Sequence, residues 1–178
     1  MEISIPYVAQ PGSVGNIFKR IKEAKVPDRF NIDFLSKVLG FTGGPHRQFI
    51  PLAKKLGFLG TDGVPTDLYK SFRSPNTLVS GGAMAVGIKR AYSDLYARNE
   101  NTHNLAKDRL RGLIVEITGL EPKNSIVQKT AQTFEILKNY ANFTADISAA
   151  ENERKEKTNF DKDDSDGDVT GLKLGLTQ

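Results

Sequence analysis

Residues 32–72 read IDFLSKVLGFTGGPHRQFIPLAKKLGFLGTDGVPTDLYKSF. Two short apolar helical patterns flank Gly40-Phe41-Thr42-Gly43-Gly44-Pro45, and a hairpin signal follows. In the first pattern, Phe34, Leu35, Val38 and Leu39 make one face, and Gly40 is placed to end it in a left-handed cap. Pro45 suits the first turn of the next helix, which buries Phe49, Ile50, Ala53 and Leu56. Pro51 lies about seven positions into that helix, so the helix is expected to begin late or to kink there. Thr61-Asp62-Gly63-Val64 places Asp-Gly between apolar residues, a strong hairpin signal, and Pro65 keeps its strands short. Thr66 can cap a short helix presenting Leu68, Tyr69 and Phe72. Helix, turn, helix, hairpin is the order of a winged helix-turn-helix.

Working outward, Pro6 and Pro11 hold the start of the chain extended. Val14, Ile17, Phe18 and Ile21 then recur at helical spacing after Ser13. Ser74-Pro75-Asn76 reads as a hinge. Beyond it, Met84, Ile88, Ala91, Leu95 and Tyr96 line one long helix ending near Asn99, its start weakened by Gly81 and Gly82. Leu110, Leu113, Ile114 and Ile117 form a stripe that stops at Gly119, and a last helix spans about Ser125 to Ala141. Leu39-Gly40-Phe41 and Thr118-Gly119-Leu120, each followed by a proline-bearing loop and an amphipathic helix, echo one another. The expected fold is therefore mainly α, with two small helix-turn-helix-like units, the first winged by a short β-hairpin. Residues 1–75 form the first unit and 76–147 the second. Residues 148–178 read as a flexible acidic tail, mobile over 151–170, whose alternating Gly171-Leu172-Lys173-Leu174-Gly175-Leu176 suits a terminal strand.

Charge is uneven along the chain. The tail from Glu151 to Gln178 holds 5 of the 25 basic and 8 of the 21 acidic residues, leaving 20 against 13, a net +7, in residues 1–150. A basic body with an acidic tail fits nucleic-acid binding, with the tail competing against phosphate. From charge alone the plainer reading, a mildly basic soluble domain with a solubilising linker, stands in front. With no Cys, disulfides and thiolate metal sites are excluded. No apolar run approaches the roughly 20 residues of a membrane span, and the start has no basic, apolar leader pattern. A soluble cytoplasmic protein is expected.

Catalytic patterns fail one after another. Gly82-Ala83-Met84-Ala85-Val86-Gly87-Ile88-Lys89 resembles a phosphate loop, but its Lys is one place late and the Ser/Thr is missing. Asp161 to Asp168 suggests a calcium loop, yet with Gly167 in the glycine place the first and last ligand positions are Lys162 and Lys173. His46 and His103 lie in different units, and no Ser stands in a nucleophile elbow. No enzyme, metal or cofactor is expected.

The binding candidates cluster around Pro45. Gly43 and Gly44 let backbone amides approach a phosphate at a helix start. Thr42, His46, Arg47 and Gln48 surround that start, with Arg47 placed to read guanine and Gln48 adenine. Lys54 and Lys55 would neutralise phosphates. The plain alternative is a tight turn carrying solvated polar residues. Asp62, at the hairpin tip, would repel phosphate and favours a protein-facing or structural hairpin. Non-enzymatic DNA binding, of regulatory use, is the leading expectation. A protein-interaction or assembly module of the same fold is the alternative.

Several further motifs carry a resemblance. They are Pro6-Tyr7-Val8 with Pro11-Gly12, Val26-Pro27-Asp28-Arg29-Phe30, Leu56-Gly57-Phe58-Leu59, Gly63-Val64-Pro65-Thr66 with Tyr69 and Phe72, and Ala91-Tyr92-Ser93-Asp94-Leu95-Tyr96. Through them, over roughly residues 5–143, the chain resembles a bacterial and archaeal domain family of unknown function. The resemblance implies a small helical protein, often ending in a further apolar strand, and brings no activity with it.

Overall fold

Pro11 opens the first helix, α1 (Pro11–Glu23), at the position where its missing N–H costs no hydrogen bond. Val14, Ile17, Phe18 and Ile21 are buried along one face, as their spacing requires. The C-terminal carbonyls of α1 are taken by Arg73, whose Nε donates to Ile21 O at 2.9 Å and whose guanidinium also reaches Ala24 O. The computed structural model describes residues 5–145; what the sequence predicts of the tail, its mobility, its calcium-like loop and its terminal strand, lies outside them.

Phe34–Val38 winds as a π-helical turn, closed by Leu39 N–H to Phe34 O at 3.0 Å and Phe41 N–H to Leu35 O at 2.9 Å. Gly40 adopts the left-handed φ of +82°. Leu35 and Leu39 are buried, but the wider winding turns Val38 outward, where it is 61% exposed. The expected third helix is broken in two. A single turn, α2 (Gly44–Arg47), is followed by α3 (Phe49–Lys55). The break falls where Pro51 lacks a donor and its ring would press on the carbonyl of Arg47.

The wing is absent: there is no strand among the described residues, only a single antiparallel bridge between Leu59 and Pro65. Three backbone bonds close the loop, Gly60 N–H to Val64 O, Gly63 N–H to Gly60 O and Thr66 N–H to Phe58 O, each 2.9 Å. Pro65 can donate nothing to a ladder, and Thr66 at once becomes a helix cap, so no residues remain from which strands could grow. Thr66 accepts from Tyr69 N–H and starts α4 (Asp67–Phe72).

The Ser74-Pro75-Asn76 hinge is instead the start of α5 (Thr77–Ala91), with the Asn76 side chain accepting from Leu78 and Val79 N–H. Gly81 is buried inside this helix because the chain near Asn142 crosses it. A β-carbon there would stand 2.7 Å from Asn142 Cβ, and Asn142 N–H bonds Gly81 O at 2.8 Å. The long helix expected up to Asn99 stops at Tyr92, and α6 (Ser93–Arg98) continues separately. A 3₁₀ turn (Thr102–Asn104) leads to α7 (Lys107–Thr118), ended by Gly119 in the left-handed region, and α8 (Ser125–Lys138) completes a mainly helical fold.

Residues of 5–75 and 76–145 share one hydrophobic core. Phe18 of α1 meets Phe49 and Phe72 edge-on, both at 5.1 Å, and tilts against Tyr140 at 5.7 Å. The Tyr140 hydroxyl donates to Gly15 O at 3.0 Å, fastening the end of α8 to α1. Tyr92 packs edge-on against Phe134 at 5.1 Å and donates to Pro6 O at 2.9 Å, tying the extended N-terminal stretch to the same core.

Candidate nucleic-acid interface

The turn before α2 is shaped by its own side chains. His46 Nδ1 bonds Thr42 O at 2.5 Å while its ring sits 5.5 Å from Phe41. Thr42, Gly43 and Gly44 are exposed. Because α2 is one turn long, few peptide dipoles add up at its start, and the helix-dipole support expected for a phosphate at Gly43–Gly44 is small.

Gln48 is committed elsewhere. Its Oε1 accepts from Ala9 N–H at 2.6 Å, holding the N-terminal stretch against the α2–α3 break. Arg47 is exposed and its side chain makes no ion pair or hydrogen bond among the described residues, and the same holds for the Lys54 side chain. Lys55 is exposed but is not among these unpaired cations. Arg47, Pro51 and Lys54 recur at steps of four and three, and all three are exposed on the outer side of α2–α3. Phe49, Leu52 and Ala53 are buried on the other side.

Electrostatically this stretch is one-sided. Between Asp33 and Asp62 the chain carries Lys37, Arg47, Lys54 and Lys55 and no acidic residue. Lys37 is answered by Asp33 at 3.4 Å across an exposed turn. Asp62 is exposed, and its Oδ1 is turned back to accept from Val64 N–H at 3.1 Å.

One cation at the end of this segment has no sequence signal. Arg90, near the end of α5, lays its guanidinium over Gly57, just past α3; a β-carbon at Gly57 would stand 2.7 Å from Nη1. Gly57 has φ +78° and is buried, whereas Arg90 is exposed, its side chain in no ion pair or hydrogen bond among the described residues. The approach depends on α3 packing against α5, where Gly87 brings its backbone close to Leu56 O. The structure thus places Arg47, Lys54 and Lys55 on the surface of one short segment, adds Arg90 beside its end, and removes Gln48 to a structural role.

Among the described residues no group of three His, Cys, Asp or Glu side chains could hold a metal ion, and no helix is long and apolar enough to cross a membrane. His46 and His103 remain apart: His103 accepts or donates to the Tyr96 hydroxyl at 3.1 Å and stacks flat on Phe143 at 3.9 Å.

No curated protein and no solved structure matches the chain. Residues 6–148 match a family of unknown function, DUF5343, and the chain belongs to that family.

Proposed function

We propose that this protein is a non-enzymatic, cytoplasmic nucleic-acid-binding module of helix-turn-helix-like organisation that docks on duplex DNA through α2–α3, with regulation as its use. The observation that carries this is the pair Arg47 and Lys54, exposed on one helical side with no counter-charge among the described residues, together with the unpaired Arg90 next to α3. Unpaired surface cations are the groups that release counterions from a phosphate backbone. Thr42, Gly43, Gly44 and His46 flank this face as backbone and side-chain neighbours of the phosphates. With Gln48 engaged by Ala9, the contacts are to phosphate more than to bases, so affinity is salt-dependent and weakly selective.

The test is binding of the full chain to random-sequence duplex DNA, followed by fluorescence anisotropy across a salt series. Three phosphate contacts give a slope of log K against log salt of about −2.7. Arg47→Ala, Lys54→Ala and Arg90→Ala should each reduce that slope by about one. No binding at low salt ends the proposal.

A protein-docking role is favoured by one different observation: Val38 and Ile32, just before α2, are 61% and 45% exposed. In that role apolar truncation at Val38 weakens docking, and salt has little effect.

A further inference from the structure

We propose that the groove bounded by the start of α1, α7 and α8 binds a small amphipathic anion, an apolar body bearing one carboxylate or phosphate head. The groove is half-open to solvent and offers about 340 Å³, within the size range of small-molecule sites. Leu110 and Ala131, both buried, and Ile136 give it an apolar floor. Lys107 and Arg111, one turn apart on α7, line the same groove. Pro11 and Gly12 of α1 line its edge, where a β-carbon on Gly12 would meet nothing within 4 Å.

The charges in the groove are unequal in availability. Glu135 also lines it, but its carboxylate is held by Lys138 at 3.5 Å in a pair whose side chains are largely covered. Arg111 approaches Asp108 only at 3.9 Å, and that carboxylate is almost fully exposed, so water screens the contact. Lys107 has no ion pair among the described residues. Two weakly answered cations beside an apolar floor match a ligand that is greasy at one end and anionic at the other. A nucleic acid has no apolar body to lay on Leu110 and Ile136, so this groove is independent of the α2–α3 face.

The experiment is isothermal titration of the full chain with octanoate, octyl phosphate and octanol. Saturable binding of octanoate or octyl phosphate, with octanol at least about tenfold weaker, is expected, since a charge-assisted contact contributes about 1.5–3 kcal/mol. The anion that binds more tightly identifies the head group. Lys107→Gln/Arg111→Gln, both exposed positions, should weaken the anion at least about tenfold and leave octanol unchanged. Glu135→Gln should tighten the anion by removing the one carboxylate in the lining. Octanol binding as well as octanoate, an unchanged double variant, or no saturable binding of either anion at millimolar concentration would overturn the assignment.

Discussion

Arg90 rests on the backbone of Gly57, so close that any β-carbon at residue 57 would collide with its guanidinium. The contact joins the chain just past α3 to a residue of α5 more than thirty positions downstream. It also sets a cation whose side chain makes no ion pair among the described residues next to the residue that ends the α3 segment.

Gly57→Ala therefore carries two costs. A left-handed φ of +78° strains an L residue by roughly 1–2 kcal/mol, and the added methyl displaces Arg90. Chemical denaturation should show the stability loss, and DNA binding should show the same reduced salt slope as Arg90→Ala. Arg90→Ala alone should reduce the slope while leaving stability within about 0.5 kcal/mol, as for other surface positions. Equal salt slopes for wild type and Arg90→Ala would remove Arg90 from the interface.

Gln48→Ala separates a structural amide from a base reader. The side chain bonds Ala9 N–H at 2.6 Å, so truncation should cost about 0.5–1.5 kcal/mol of stability. Base preference in a randomised-duplex selection should not change. A shifted preference at one adenine would return Gln48 to the groove.

These two positions also show where sequence legibility ends. Signals that act within a few residues were readable: the left-handed Gly40, the Thr66 cap, the apolar face of α1 and the disturbance at Pro51 all appear. The hairpin failed because Asp-Gly specifies a turn, whereas strands need donors and length that Pro65 and the Thr66 cap deny. Gly81 and Gly82, read as weakening a helix start, sit inside α5, where Gly81 meets Asn142. Ala9 with Gln48, Gly57 with Arg90, and Gly15 with Tyr140 are pairings across 33 to 125 residues, set by packing that no local period encodes. Of the candidate face, Arg47, Lys54 and Lys55 were found as exposed basic residues on a helix, whereas Arg90 needed the fold.

Phe49→Ala tests the inner side of α3. Phe49 is 1% exposed, edge-on to Phe18 at 5.1 Å and tilted on Phe30 at 5.8 Å. Removing it should cost about 3–5 kcal/mol by urea unfolding. Phe34, only half-buried, should cost less when truncated. A loss under 1 kcal/mol at Phe49 would mean that α3 presents a different face to the core.

His103 should give stability a pH dependence near neutrality. Burial first, then the Lys89 and Lys138 charges, hold its pKa below the usual 6.5. Tyr96, the remaining titratable neighbour, meets it as a hydroxyl whose own pKa burial raises. The unfolded chain thus binds the proton more readily than the folded one, so this contribution is full above about pH 6.5 and is lost as pH falls through the lower folded value. Denaturation midpoints at pH 7.5 and 5.5 should differ more for the wild type than for His103→Gln. Equal differences would show that the ring is not held neutral by its surroundings.

Two buried tyrosines should respond oppositely to loss of the hydroxyl. Tyr92 is fully buried and donates to Pro6 O at 2.9 Å, so Tyr92→Phe should cost roughly 1–2 kcal/mol and leave that carbonyl without its donor. Tyr69 is 1% exposed, yet its hydroxyl has no hydrogen-bond partner among the described residues. Its pKa is pushed up to about 12 by burial, against a smaller pull from the Arg73 charge. Removing a buried polar atom that bonds nothing also removes its desolvation cost, so Tyr69→Phe should be neutral or stabilise by up to about 1 kcal/mol. Thermal unfolding of the two variants side by side makes the comparison, because both keep the ring and its packing. A loss at Tyr69→Phe equal to that at Tyr92→Phe would mean that the Tyr69 hydroxyl is satisfied in solution, and that its corner of the core is polar.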